Sequence, residues 1–220
     1  MSDAFPRPLR ALLLLAAGTL AVAAGRDALE ALAGPEVPAL WWAARALGLL
    51  AYLALALSTL FGVLVSAKGA GGLLDKATTV ALHNRWALAA VVATTLHVLA
   101  LVIDPRSGVS PWAAVVPGAS SRLTGPVALG TLAGLGMAVI AVTTALSRRL
   151  PRWAWRATHA SAFGVLLLGL VHGVSAGTDA GSPWVGGLYL VTAAAIVGAV
   201  VQRLLLAKIG TPARRAGGDS

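Results

Sequence analysis

Cysteine is absent from all 220 residues. That excludes disulfides, thiolate-held iron–sulfur clusters and the C-x-x-C-H attachment of c-type haem, and it leaves the redox compartment undetermined. Charge is scarce as well. Asp, Glu, Lys and Arg make up 11% of the chain and hydrophobic residues 58%, whereas a soluble domain carries about 25% charge. A mean hydropathy of +0.82 puts most of the chain in lipid. The eight acidic residues all fall between the apolar runs or in the tails. No G-x-G-x-x-G follows a strand pattern, so no dinucleotide fold is available, and no polar stretch is long enough to form a separate soluble domain. The net charge of +9 does not point to nucleic acid, because the basic residues cluster at segment ends, as in a membrane protein on an anionic leaflet.

What is present is a series of apolar runs of membrane length. They read as an all-α, six-helix transmembrane bundle over residues 11–208, between a basic lead (1–10) and a polar cytoplasmic tail (209–220). The expected spans are Ala11 to Gly25, Leu40 to Ala67, Thr78 to Ile103, Leu123 to Leu146, Ala157 to Gly177 and Trp184 to Leu206. Ala21-Val22-Ala23 resembles a signal-peptidase site, but the short linker after the first run favours an uncleaved helix. Gly130 and Gly134 have the spacing that lets helices approach closely. Twelve Lys and Arg residues lie on one side of this topology and three (Arg26, Arg106, Arg122) on the other. The positive-inside bias therefore places both termini in the cytoplasm of a multi-pass protein of the cell (inner) membrane.

Against this background the four histidines stand out, since all lie inside spans. His83 and His97 are 14 residues apart on the third, and His159 and His172 are 13 apart on the fifth. At about 1.5 Å per residue each pair extends roughly 20 Å, most of a bilayer core of about 30 Å. The depths match: His97 and His172 each precede an aspartate (Asp104, Asp179) by seven residues, and His83 and His159 each follow a basic residue (Lys76, Arg152) by seven. Two helices running the same way hold two imidazoles level near each face. Neutral imidazole is a good iron ligand, so this pattern reads as two stacked b-type haems held between the third and fifth helices. At 100° per residue, however, 13 residues leave about 140° unaccounted for, so the fifth helix is expected to be overwound or bent between its histidines, with Gly164 and Gly169 permitting it.

With the histidines in place, the chain resembles the ferric reductase-like transmembrane family, which includes the membrane parts of ferric reductases and NADPH oxidases and the haem-binding subunit of the methionine sulfoxide reductase system. The residues that carry the likeness are His83-x13-His97, His159-x12-His172, Ala44-Arg45-Ala46-Leu47-Gly48, His83-Asn84-Arg85-Trp86 and Trp155-Arg156-Ala157-Thr158-His159. The resemblance implies two haems b, ligated by His83 with His159 and by His97 with His172, passing electrons across the membrane. Full-length reductases of that family carry a flavin and nicotinamide domain after the sixth span. Here about fourteen residues follow Leu206, so the expected donor is a separate flavoprotein or quinol. The expected acceptor is an extracytoplasmic protein or small oxidant. On this reading the chain is the membrane component of an oxidoreductase, with no catalytic residues assigned.

Other residues are candidates for supporting roles. Arg45, a few residues inside the second span, needs an anion, for which a propionate of the outer haem is preferred. Arg85 and Arg156, beside the inner ligands, are candidates for the inner propionates, although positive-inside placement alone explains them. Thr79, four residues before His83, offers an oxygen to that ring's second nitrogen, but helix hydroxyls more often bond their own backbone. The other histidines have no side-chain oxygen at that offset, so backbone carbonyls or Thr94 are expected to serve them. The competing functional class is a histidine-based proton or divalent-metal transporter or channel. That class predicts carboxylates within the spans, and the spans have none. A structural membrane protein without cofactor leaves the matched depths unexplained.

Overall fold

A computed structural model describes residues 39–66 and 74–209, with side chains described up to Leu205. These residues are all-α. The helices are α1 (Ala39–Ser66), α2 (Lys76–Ile103), α3 (Thr124–Ala145), α4 (Arg152–Ala160), α5 (Ala162–Ala176) and α6 (Pro183–Ile209). α4 and α5 follow one another as a single 25-residue span, so the described residues contain five helices long and apolar enough to cross a membrane, not six. The expected span from Ala11 to Gly25 lies outside the described residues, as do the lead and most of the tail. The protein is thus a multi-pass integral membrane protein. By packing, residues 39–52 and 90–180 belong to one unit, and residues 53–66, 74–89 and 181–209 to a second.

Burial is inverted relative to a soluble protein. Among the described residues, ten of the fifteen buried apolar side chains are alanines, including Ala44, Ala51, Ala54, Ala90, Ala93 and Ala100. Larger side chains such as Leu88, Val139, Leu167, Val171 and Leu190 point outward. Lipid is as apolar as leucine, so helices gain by close backbone approach through small residues. Trp42, Trp112, Trp153 and Trp184 are exposed at or beyond span ends, where indoles favour the membrane–water boundary.

The helix starts follow local chemistry. Asp75 caps α2: its Oδ1 accepts from the Thr78 amide at 2.9 Å and its Oδ2 from the Thr78 hydroxyl at 2.6 Å. This cap begins the helix at Lys76, two residues before the expected start at Thr78. Residues 152–156, expected as a basic loop, form the first turns of α4 instead, entered through Pro151 in an extended conformation.

The expected distortion of the histidine-bearing fifth span is present, at Ser161 and not at Gly164 or Gly169. The Ser161 amide is shared between the carbonyls of Ala157 (3.3 Å) and Thr158 (3.2 Å). Its hydroxyl donates to the Thr158 carbonyl at 2.6 Å. Such back-bonding and i→i+3 tightening locally overwind a helix, by about 20° for one such step, a small part of the rotation that the 13-residue spacing leaves.

The long connection from Asp104 to Leu123 is built of turns and tied down in the first unit. Gly108 and Gly118 take left-handed φ values of +69° and +87°. The Arg122 side chain packs on Gly108, and its guanidinium donates to the Arg106 carbonyl at 3.3 Å. Buried Thr131 of α3 donates to the Ala113 carbonyl at 2.7 Å, docking the loop one residue beyond Gly130.

Thr131→Val should therefore lower stability by about 1 kcal/mol and raise the rate of limited proteolysis within 104–123. An unchanged cleavage rate would show that the loop is held otherwise. At Asp75 the Thr78 hydroxyl, and then its amide, hold the carboxyl below the ordinary carboxylate range. The cap is complete above the carboxyl's ordinary pKa and is lost only as pH falls through the lowered value. Titration of the Asp75 carboxyl by NMR should give a midpoint below that of a peptide aspartate, and a midpoint at or above it contradicts the cap.

Candidate functional site

An imidazole in a membrane span must place its N–H on an acceptor. Three of the four histidines do this in the same way, on a backbone carbonyl of a neighbouring helix. His97 Nδ1 lies 2.7 Å from the Ala44 carbonyl, and His172 Nδ1 lies 2.8 Å from the Pro126 carbonyl, both in the first unit. In the second unit His83 Nδ1 lies 2.8 Å from the Ser58 carbonyl and 3.2 Å from its hydroxyl. A carbonyl only accepts, so Nδ1 carries the proton in each ring and Nε2 carries the lone pair. This is the tautomer and restraint that a metal-ligating histidine requires.

Each acceptor is followed four residues later by a glycine on which the ring rests. A Cβ at Gly48 would lie 2.9 Å from His97 Cε1, one at Gly62 would lie 3.3 Å from His83 Cε1, and one at Gly130 would lie 2.7 Å from His172 Cε1. The carbonyl and the glycine thus form a slot one helical turn long. α1 carries two such slots, and Gly48 to Gly62 is 14 residues, the same as His83 to His97. Gly134, expected to act with Gly130, has nothing within 4 Å of its would-be Cβ; Gly136, against Val165 Cγ2, makes the second close approach to α5.

The slots on α1 and α3 bring His97 and His172 together. Their ring centres are 6.3 Å apart at an interplanar angle of 74°. Two imidazoles on opposite sides of one metal, each at a bond of about 2 Å, have ring centres about 6 Å apart, so the separation suits a shared ligand site. Among the described residues no group of three or more His, Cys, Asp or Glu side chains is placed to hold a metal ion. Two imidazoles leave the rest of a metal's shell to water or to a cofactor with nitrogen ligands of its own.

The remaining candidates divide as follows. His159 stacks on Trp155 at 5.2 Å between ring centres and 22°, in the first unit, whereas His83 belongs to the second. Arg45 does have an anion, supplied by the chain itself. Its Nε donates to Asp179 Oδ2 at 2.8 Å and its Nη2 to Asp179 Oδ1, and its guanidinium lies 4.5 Å from the Trp42 ring centre. Arg85 and Arg156 are exposed. Thr79 is fully buried, but its hydroxyl donates to the Asp75 carbonyl at 2.8 Å, so the oxygen beside His83 is that of Ser58 and not of Thr79. Backbone carbonyls were expected as acceptors for the other histidines and serve His97 and His172; sequence reasoning did not single out Ala44 or Pro126, and it missed Ser58 and the glycine slots. The shared 14-residue spacing of glycines and histidines was the available signal.

Fold and site together define a helical, multi-pass membrane protein that presents oriented imidazoles within its spans. Residues 39–179 match the model of a family described as a domain of unknown function (DUF8596), and the chain belongs to that family. No curated protein and no solved structure matches it.

Gly130→Ala should force His172 from its slot and destabilise the protein by about 1–3 kcal/mol, whereas Gly134→Ala, in open space, should stay within about 0.5 kcal/mol. Thermal unfolding in detergent checks both, and equal effects would contradict the slot.

Proposed function

We propose that the protein is a di-haem b electron carrier, the membrane component of a reductase. The observation that carries this reading is the approach of His97 and His172, with each Nδ1–H donated to a backbone carbonyl. His97 and His172, each restrained through its Nδ1–H, are the residues that would hold the iron. Bound there, a haem would supply reversible one-electron chemistry; the protein's part is to hold His97 and His172 in place and set the local field.

The resemblance to ferric reductase-like proteins extends the reading to a second haem on His83 and His159. His83 has the same oriented tautomer as the outer pair. Arg85 and Arg156, exposed and adjacent to these ligands, are the proposed partners of inner propionates. Since Arg45 is engaged by Asp179, its contribution at the outer haem is through charge and position. With positive-inside orientation in the cell membrane, electrons enter on the cytoplasmic side from a flavoprotein or quinol. They leave from the His97–His172 side to an extracytoplasmic protein or small oxidant.

His97→Ala should abolish the outer haem, taking pyridine haemochrome from two haems per chain to one, with the remaining reduced spectrum still low-spin. Retention of two low-spin haems in that variant would overturn the pairing.

A further inference from the structure

His97 takes its orientation from α1 and His172 takes its own from α3, so neither slot by itself fixes the distance between the rings. That distance depends on what joins the helix pair α1–α2 to the pair α3–α5 within the first unit. We propose that Arg45 and Asp179 are a positioning pair that sets the separation of His97 and His172, an inference that rests on the reading that these rings share one iron.

Both ends of the pair lie beside a ligand's support. Arg45 directly follows Ala44, whose carbonyl holds His97. Asp179 stands seven residues beyond His172 and three beyond the last residue of α5. The contact is a fork: two donors of one guanidinium meet the two oxygens of one carboxylate. A fork fixes angle as well as distance, and a lysine cannot reproduce it. Trp42, one turn before Arg45 on α1, lies beside the guanidinium and limits its freedom. The ends are 24% and 43% exposed, so the contact is only partly covered by protein. Exposed ion pairs add little to global stability. The role inferred is therefore geometric, and its loss is expected in ligation before it is seen in unfolding.

The experiment uses the full-length protein in detergent with two readouts. One is the low-spin fraction of the oxidised haems by electron paramagnetic resonance. The other is the spin-label distance between Leu50→Cys and Val174→Cys, at exposed sites of the first unit on a chain without native cysteine, measured without haem. Asp179→Asn should convert at least half of one haem to high spin, leave the other unchanged, and broaden the distance distribution. Arg45→Lys should do the same to a smaller extent, and it serves in place of Asp179→Asn should that variant fail to fold. Charge reversal by Arg45→Asp with Asp179→Arg should recover most of both signals. Unchanged distances in the single variants overturn the positioning role, and so does a broadened distance with ligation intact. A wild-type protein that takes up no haem would remove the functional reading instead, while the haem-free distances still report on the pair.

Discussion

The contact on which the structure depends is an imidazole N–H donated to a helix carbonyl beside a glycine. A helical carbonyl already accepts from the amide four residues on, but its oxygen has a second lone pair. In lipid, where water cannot serve, a histidine N–H can use that lone pair only if its ring comes within van der Waals contact of the acceptor helix. Glycine at the next turn clears the space. The arrangement occurs at Ala44–Gly48 for His97, at Ser58–Gly62 for His83 and at Pro126–Gly130 for His172. Its chemical consequence is a fixed tautomer, which leaves Nε2 as the basic nitrogen of each ring.

The rest of the architecture serves that approach. Alanine dominates the buried positions, so helix axes can come close enough for a ring on one to reach the backbone of another. α1 is the helix most enclosed by its neighbours, about 39% of its apolar window being buried against 17% or less for the other spans, and it provides two of the three slots. The back-bonded serine at Ser161 tightens the α4–α5 span between His159 and His172. A straight helix would point those two rings in different directions.

Much of this is legible in the sequence, for identifiable reasons. Among the described residues span existence and limits follow from hydropathy. The larger shifts are the starts at Asp75 and Pro151, where capping and a rigid φ act over two to five residues, and the end of α6, three residues beyond Leu206. Histidine depth is a matter of counting, and the 13-residue spacing forecast a distortion that exists. Its location was missed because Gly164 and Gly169 permit bending whereas Ser161 produces it, through a hydrogen bond that residue type alone does not announce. Backbone acceptors such as Ala44 and Pro126 carry no side-chain signature at all. The partner of Arg45 was hidden by sequence distance, since Asp179 is 134 residues away. The stretch Ala44-Arg45-Ala46-Leu47-Gly48, noted for its resemblance alone, contains an acceptor carbonyl, one half of the ion pair and a slot glycine.

Haem stoichiometry tests the central claim most directly. The full-length protein, produced with ample haem and purified folded in detergent, would be analysed by pyridine haemochrome and by a dithionite-reduced minus oxidised spectrum. Two b-type haems per chain with low-spin spectra are the result expected if the four histidines ligate two irons. Folded protein without haem would contradict the account, leaving the histidines as helix-packing or proton-carrying groups.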